Sequence, residues 1–268
     1  MATTAQPLVH GDFTDLAESY SRYREGYALS VRTALLGLLG RPASQLDAVD
    51  VGAGTGIWTR ILADGGFRSV TAVEPNENMR QAGIRDSVNS RILWRAGRGE
   101  QTGLPDASTD LVSMASSFHW VDFDRGTGEF IRLLRPGGWF VALWNPRLIE
   151  ANPVLAEIEG ELSNIKRSMK RVSSAHPEMI RTLADRLYAH PGFDEVVVLE
   201  GRHEVEQSVS RYIGIWESVN DVRVQLGEER FNQFMDYTRS KLEGLGTVTV
   251  TYLTRAVAAR VNHSAARG

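Results

Sequence analysis

Cysteine is absent from the 268 residues of the chain, and no apolar run is long enough to predict a membrane-spanning helix. The missing thiols exclude disulfides, cysteine metal ligands and a cysteine nucleophile. The first residues, MATTAQPLVHGDF, lack a cationic segment followed by an apolar one, so we expect no secretory signal. These absences predict a cytoplasmic protein with no membrane partner.

The chain also lacks a surplus of basic residues. Its formal net charge is -3, and acidic and basic residues are mixed along the sequence. Proteins that bind nucleic acids usually carry a basic surplus or stripe, so we expect no nucleic-acid partner. Histidines and acids are scattered, without the short-spaced histidine pairs typical of zinc sites, and the sequence therefore predicts no metal site.

Short apolar runs alternate with helical segments through the first half of the chain. The runs that predict buried strands are LDAVDV, SVTAVEP, RILWRAG, TDLVSMASSF and WFVALW, and two later ones are FDEVVVLEGRHEV and TVTVTYLTRAVAARV. The helix in GTGEFIRLLRPGG is expected to stop at Pro136 and the two glycines. Strands that alternate with helices predict a doubly wound, mostly parallel α/β sheet of seven strands.

The pattern changes after Pro146, where long polar helical segments separate the last two strands. We expect these insertions to form a helical lid over the carboxyl edge of the sheet. The predicted parts are an N-terminal helical cap segment at 1–40, a sheet core at 41–146, lid insertions at 147–190 and 207–246, and strands that complete the sheet at 191–206 and 247–262.

One glycine-rich turn stands between the first strand and the first helix of the core. The segment AVDVGAGTGIWTR places Gly52, Gly54 and Gly56 in a G-x-G-x-G pattern, one position shorter than the G-x-G-x-x-G of dinucleotide sites. Glu74 follows Gly52 by 22 residues, at the end of the second strand, where an acid can accept both hydroxyls of a ribose. The loop and the acid together predict a ligand that contains a ribose.

These segments resemble the class I S-adenosylmethionine-dependent methyltransferases. VDVGAGTG resembles the first motif of that family, VEPNENM the second, GRGEQTGLPDASTDLV the segment at the adenine, and LLRPGGWFVALWN the approach to the fifth strand. The resemblance covers residues 13–145 and implies a Rossmann-like core with S-adenosyl-L-methionine as cofactor. SSFHWVD and SYSRYREGY resemble a small-molecule branch of the family, the type 11-like methyltransferases.

The resemblance implies cofactor contacts in the order of the motifs. The backbone of Gly52, Ala53 and Gly54 would pass the methionine moiety, and Glu74 would bind the ribose hydroxyls. Arg98 stands where many relatives carry an acid that contacts the adenine amino group. The other implied cofactor residues are Tyr20 and Arg24 at the methionine carboxylate, Pro75 and Met79 beside the adenine, and Gly99, Glu100 and Ser116.

Methyl transfer from a sulfonium is a direct displacement, so the protein mainly aligns donor and methyl acceptor. His119, in SSFHW after the fourth strand, is the candidate base for a methyl acceptor that must lose a proton; the alternative is that it only shapes the pocket. The residues expected to bind the methyl acceptor are Trp120, Trp144, Asn145, Arg147, Tyr212, Trp216 and Asn220.

The sequence therefore predicts a methyltransferase that acts on a small molecule, with a specialised metabolite favoured over a central one. Oxygen, nitrogen, carbon and carboxylate acceptors all stay open, and the oligomeric state is not predicted. Two alternatives are a non-catalytic S-adenosylmethionine-binding module that regulates a partner enzyme, and an NAD-dependent oxidoreductase, which the G-x-G-x-G spacing disfavours.

Overall fold

A computed structural model of the chain describes residues 24–166, 177–217 and 220–262. Within these ranges the helices are α1 (Leu29–Leu38), α2 (Ile57–Asp64), α3 (Glu77–Asp86), α4 (Phe123–Leu133), α5 (Pro153–Ile165), α6 (Pro177–Ala189), α7 (Val209–Glu217), α8 (Asn220–Leu226) and α9 (Glu228–Leu242). The strands are β1 (Asp47–Val51), β2 (Ser69–Val73), β3 (Ile92–Arg95), β4 (Thr109–Ala115), β5 (Leu134–Trp144), β6 (Phe193–Ser208) and β7 (Thr247–Val261).

The seven strands in the described ranges form one sheet in the order β3-β2-β1-β4-β5-β7-β6. Strands β1 to β5 pair in parallel with one another, and β7 is antiparallel to β5. The chain moves outward from β1 to β3 and then returns to β4 on the other side of β1. Ligands bind at such a switch point, outside the carboxyl ends of the strands. The prediction of a doubly wound, mostly parallel sheet is confirmed.

Apolar layers cover both faces of the sheet. Ala48 joins the layer that contains α1 and α2, whereas Val49 joins the layer that contains α4 and α6. Successive strand residues point to opposite faces, so a strand buried on both faces must be apolar at nearly every position. This explains why the core strands appear in the sequence as continuous apolar runs rather than as alternating ones.

Helix α4 begins and ends earlier than the sequence suggests. Asp122 caps it by accepting a hydrogen bond from the backbone N–H of Arg125 at 2.9 Å. The helix ends at Leu133, and Leu134 already pairs with Thr109 of β4. The helix therefore ends before the predicted stop at Pro136, because strand pairing already begins at Leu134.

The amino ends of the central strands carry an ion-pair network. Asp110, which is 3% exposed in its side chain, pairs with Arg41 at 2.5 Å and with Arg135 at 2.6 Å. Asp47 pairs with Arg68 and, at 2.8 Å, with Arg135. The hydrogen bond from Arg68 is the main reason why the pKa of Asp47 lies well below its ordinary value. The network ties together the first residues of β1, β2, β4 and β5.

The described residues divide into two compact units, and β6 and β7 contribute residues to both. The larger unit takes its described residues from 25–146, 177–203 and 252–262, and the smaller from 24, 147–166, 204–217 and 220–251. Helix α6, which the sequence analysis assigns to a lid insertion, buries Ile180, Leu183 and Leu187 in the core of the larger unit. The lid role of the insertions and their boundaries stay predictions.

The smaller unit has an aromatic centre. Trp216 of α7 and Phe234 of α9 pack edge to face, with ring centroids 4.8 Å apart, and both side chains are fully buried.

Across the described parts of the chain, no helix has the length and apolar character needed to cross a membrane.

Candidate functional site

The glycine loop leaves β1 and is fixed to the neighbouring strand by its backbone. The N–H groups of Gly52 and Ala53 both donate to the carbonyl oxygen of Val73, at 2.8 and 3.1 Å. Gly54 has a φ of 56°, and a Cβ added there would meet no atom within 4 Å. The loop therefore presents bare backbone beside open space, which lets a ligand approach closely.

The third glycine has a different task. Gly56 has a φ of 78° and caps α2, and a Cβ there would lie 2.8 Å from the ring of Trp94. Both the left-handed backbone and the contact with the indole require glycine at this position. The G-x-G-x-G spacing thus reflects the packing of Trp94 against the start of the helix.

Glu74 lies at the end of β2 and faces the loop. Its carboxylate is held by two backbone N–H groups: Gly54 donates to Oε2 and Asn76 donates to Oε1, each at 2.8 Å. The residue is only 7% exposed, and burial raises the pKa of Glu74 above its ordinary value. Each carboxylate oxygen keeps a further lone pair, so the fixed carboxylate can accept hydrogen bonds from two adjacent hydroxyl groups.

A second acid lies beneath the loop, within β1. Asp50 is fully buried and accepts hydrogen bonds from the hydroxyls of Thr59 at 2.6 Å and Ser113 at 2.8 Å. Burial raises the pKa of Asp50 to about 7, and repulsion from Glu74 adds to the rise. The side chain links β1 to α2 and to β4. Ser113 lies 63 residues from Asp50, so this contact could not be identified from local sequence.

The residues predicted at the adenine surround the start of α3. Asn76 caps this helix by accepting a hydrogen bond from the N–H of Met79 at 3.1 Å, as its sequence position suggests. Met79 is buried and Pro75 is exposed.

The GRGE segment is fixed to the turn that follows the FHW motif. Glu100 accepts a hydrogen bond from the N–H of Asp122 at 3.0 Å, and Gly99 packs so closely on Val121 that a Cβ would overlap it. Arg98 is exposed and makes a backbone bridge to Gln101. The carboxylate of Glu100 therefore has a structural contact in addition to its predicted cofactor role.

Ser116 follows β4 in a conformation that is uncommon for a residue with a side chain. Its φ is 56°, its N–H donates to Leu143 O at 2.7 Å, and its hydroxyl lies 3.0 Å from the hydroxyl of Tyr27. The Tyr27 ring packs edge to face on Trp58, with centroids 5.3 Å apart. Tyr27 lies beside a predicted cofactor residue and was not singled out from the sequence.

Asn145 secures the segment that carries Tyr27. Its side-chain N–H₂ donates to Gly26 O at 2.7 Å, and its Oδ1 accepts from the hydroxyl of Thr254 at 2.7 Å. The same Thr254 oxygen accepts from the N–H of Ala28 at 2.8 Å. We call Asn145, Thr254 and their bonds to Gly26 and Ala28 the asparagine latch. The latch supplies partners for both polar ends of Asn145, which the sequence assigns to the methyl acceptor.

The FHW motif forms a short 3-10 helix, Phe118–Trp120, after β4. Phe118 anchors it, with its ring centroid 5.2 Å from that of Phe140. His119 Nδ1 accepts a hydrogen bond from the indole N–H of Trp144 at 3.4 Å. Trp144 is buried at the end of β5, whereas Trp120 is 48% exposed and its ring centroid lies 4.7 Å from that of His119.

Three of the residues predicted at the methyl acceptor lie together in the smaller unit. The guanidinium of Arg147 pairs with Glu159 at 2.9 Å, lies 4.5 Å from the ring centroid of Trp216, and is 3.5 Å from the hydroxyl of Tyr212. Both aromatic side chains are fully buried. These contacts balance the charge of Arg147 within the unit and account for the spacing of Tyr212 and Trp216 as packing.

Of the remaining predicted residues, the structure describes Arg24 and Asn220 but not Tyr20. Tyr20 lies outside the described residues, Arg24 is half-buried, and Asn220 is the first residue of α8. Within the described ranges, no group of three or more His, Cys, Asp or Glu side chains could hold a metal ion.

The chain is similar in sequence to methyltransferases. The family model described as a methyltransferase domain matches residues 49–142. An uncharacterized methyltransferase of Mycobacterium tuberculosis is 35% identical over 135 residues, which are 50% of this chain and 52% of that protein. The ubiquinone/menaquinone biosynthesis C-methyltransferase of Rubrivivax gelatinosus is 30% identical over 106 residues, 39% of this chain and 41% of that protein. The chain thus spans about half the length, or less, of these curated relatives.

A solved structure extends the likeness over most of the chain. A candidate type II methyltransferase of Anaeromyxobacter dehalogenans superposes with a TM-score of 0.66 at 25% identity. The alignment covers 89% of this chain and 98% of that one. The similarity therefore includes the region beyond residue 142, where the family model does not reach.

Proposed function

We propose that the chain is a class I S-adenosylmethionine-dependent methyltransferase, which transfers a methyl group from this cofactor to a small organic molecule. The observation that carries the proposal is the pairing of Gly54 with Glu74 at the switch point of the sheet. It combines loop backbone beside open space with a fixed carboxylate, as a ribose-containing ligand requires.

The residues present fit this cofactor. The space beside Gly54 admits the ligand, and Glu74 offers two preoriented oxygens to the ribose hydroxyls. Met79, a buried residue in the first turn of α3, would supply apolar contact for the adenine, and the backbone of Gly99 is the other group assigned to the adenine by the sequence motifs. When bound, the cofactor supplies a methyl group on a positively charged sulfur, which is already activated for transfer.

The protein then has to orient the reactants and exclude water. The exposed ring of Trp120 lies beside His119 and offers an apolar, electron-rich face. Such faces attract cations, including sulfonium groups, and also pack against organic substrates. The asparagine latch holds Tyr27 against Ser116, and this fixes the backbone between β4 and the FHW motif. A small organic methyl acceptor suits this arrangement.

Calorimetric titration of the purified chain with S-adenosylmethionine, S-adenosylhomocysteine and NAD tests the cofactor. Micromolar binding of the two sulfur compounds without binding of NAD supports the proposal. Binding of NAD alone, or of none of the three, contradicts it.

A second experiment tests the transfer. Incubation with S-adenosylmethionine and a panel of small carboxylates, phenols and amines, followed by mass spectrometry, should reveal one methylated product class. Cofactor binding with no methylated product across the panel would instead support a non-catalytic binding module.

A further inference from the structure

Trp144 sets the proton position on His119. The indole Nε1–H can only donate a hydrogen bond, so His119 Nδ1, at 3.4 Å, must be the acceptor. A neutral imidazole carries one N–H and one bare nitrogen. With Nδ1 as the bare nitrogen, the proton lies on Nε2.

The two rings have little freedom to rearrange. Trp144 is buried as the last residue of β5, where its backbone pairs with Arg255 of β7. On the other side, Phe118 fixes the 3-10 helix by packing on Phe140 and on Phe123. Both partners of the hydrogen bond are thus held by the core of the larger unit, and the tautomer is selected before any ligand arrives.

This tautomer is unsuited to a general base. The Nε2 position already carries a proton, and the lone pair of Nδ1 is occupied by the indole N–H. A proton added to Nδ1 would set two N–H groups against each other, and neither could accept. The geometry therefore disfavours His119 as a base and favours the other role that the sequence left open, in which His119 shapes the pocket.

We infer that His119 acts as a hydrogen-bond donor through Nε2–H to an oxygen atom of the methyl acceptor, with Trp144 as the positioning residue that selects this tautomer. The inference about the methyl acceptor rests on the proposed function. The methyl acceptor would carry a carboxylate, carbonyl or phenolate oxygen at or beside the reacting atom. Removal of a proton by His119 is not part of the reaction.

The position of the motif supports a role at the reaction centre. Ser117, two residues before His119, donates its hydroxyl to Val51 O at 3.2 Å, and a Cβ on Gly52 would lie 2.7 Å from the Ser117 oxygen. The FHW motif therefore begins immediately after Ser117, which lies against the first glycine of the glycine loop.

Nuclear magnetic resonance of the protein labelled with [¹⁵N]histidine tests the tautomer directly. Two-bond ¹H–¹⁵N spectra at a pH of about 8, where histidine is ordinarily neutral, distinguish Nε2–H from Nδ1–H. The His119→Gln variant identifies the His119 signals by their loss. Trp144→Phe removes the indole donor, and Trp139→Phe is the matched control because Trp139 is also a buried tryptophan of β5.

We expect only the Nε2–H form of His119 in the wild type and in Trp139→Phe, and a mixture of both forms in Trp144→Phe. An Nδ1–H form in the wild type, or an unchanged spectrum in Trp144→Phe, would overturn the inference. If Trp144→Phe does not fold, the wild-type spectrum alone decides. This spectrum needs no cofactor, so a failure of the proposed function leaves the result readable.

A substitution series then separates donor from base on the product class found in the transfer experiment. Glutamine keeps an N–H donor near the position of Nε2, whereas alanine removes it. We expect turnover by His119→Gln within about 10-fold of wild type, and by His119→Ala about 100-fold lower, as loss of a hydrogen bond to a charged group predicts. Equal losses in the two variants would indicate a base and contradict the donor role.

Discussion

The acids at the two ends of the central strands have opposite kinds of partner. At the amino end, Asp47 and Asp110 are neutralised by arginines. At the carboxyl end, Glu74 is held by backbone N–H groups and Asp50 by hydroxyls. The pKa of Asp47 is lowered, whereas burial raises the pKa of Glu74 and of Asp50. The acids paired with arginines stabilise the fold, whereas Glu74, which keeps lone pairs at the loop, can serve a ligand.

Arg80 lies beside Glu74 but has no hydrogen bond to its carboxylate among the described contacts. Arg80 Nη1 donates to the backbone carbonyl of Glu74 at 2.8 Å, and Nη2 pairs with Glu77 on the surface. The guanidinium is thus directed to the main chain and to a neighbouring acid. The carboxylate of Glu74 retains acceptor capacity for hydroxyl groups.

The largest expected effect lies at the amino end. Asp110→Ala should lower the free energy of unfolding by about 3 kcal/mol, the lower limit for breaking a buried ion pair, because Arg41 and Arg135 both reach solvent. Urea denaturation measures the loss. Asp106→Ala is the control, since Asp106 is 79% exposed and its pair with Arg132 should contribute less than about 1 kcal/mol. Equal losses in the two variants would remove the distinction between network and surface pair.

The carboxyl end should respond in binding. Glu74→Ala should weaken the affinity for S-adenosylmethionine by about 100-fold or more, because two hydrogen bonds to a charged acceptor are lost. Calorimetry measures the affinity, and circular dichroism checks the fold. Asp106→Ala, at an acid that is 79% exposed and pairs with Arg132, should bind like the wild type. If Glu74→Ala binds as tightly as Asp106→Ala, Glu74 has no ribose role.

Asp50 should give the two ends opposite pH dependences of stability. Its folded-state pKa is raised from 3.8 to about 7, so the native state holds an extra proton between these values. The free energy of unfolding should therefore fall as pH rises through this window. Asp50→Asn lacks this slope, and urea denaturation across the window should show the two curves diverging. Asp106→Asn serves as the surface control, and parallel curves for wild type and Asp50→Asn would refute the assignment.

The smallest expected effect concerns the asparagine latch. Asn145→Ala releases Gly26 and leaves Thr254 with one partner fewer, so Tyr27 should be held less firmly against Ser116. We expect cofactor affinity to fall by about 10-fold, the value of one hydrogen bond. Thr254→Val should have a similar effect, and Asn164→Ala, on the exposed end of α5, should have none. Unchanged affinity in both latch variants would mean that the latch contributes to the stability of the fold and not to cofactor binding.

The sequence predicted those features that depend on neighbouring residues. Strand β2, the Asn76 cap and the position of Glu74 follow from an apolar run and from short spacings. The glycine loop was recognisable for the same reason. Local periodicity and turn chemistry are properties of a few consecutive residues and need no knowledge of the fold.

Features set by distant contacts were not predictable. Asn145 meets Gly26 across 119 residues, and Arg147 meets Tyr212 across 65. From the sequence, both residues suit a binding role because they follow a strand at the ligand edge. The contacts that occupy them depend on how the later strands and helices return to the sheet, which no local pattern records. The tautomer of His119 has the same origin, because its partner Trp144 lies 25 residues away.

The indole of Trp94 has a consequence for how this sequence can change over evolutionary time. A Cβ at Gly83 would overlap the ring, and one at Gly56 would lie 2.8 Å from it. A smaller side chain at position 94 would permit alanine at position 83, but position 56 would still need glycine for its φ of 78°. Mutations at positions 83 and 94 are therefore expected to be epistatic. A lineage can exchange the pair only in order, with the tryptophan replaced before the glycine.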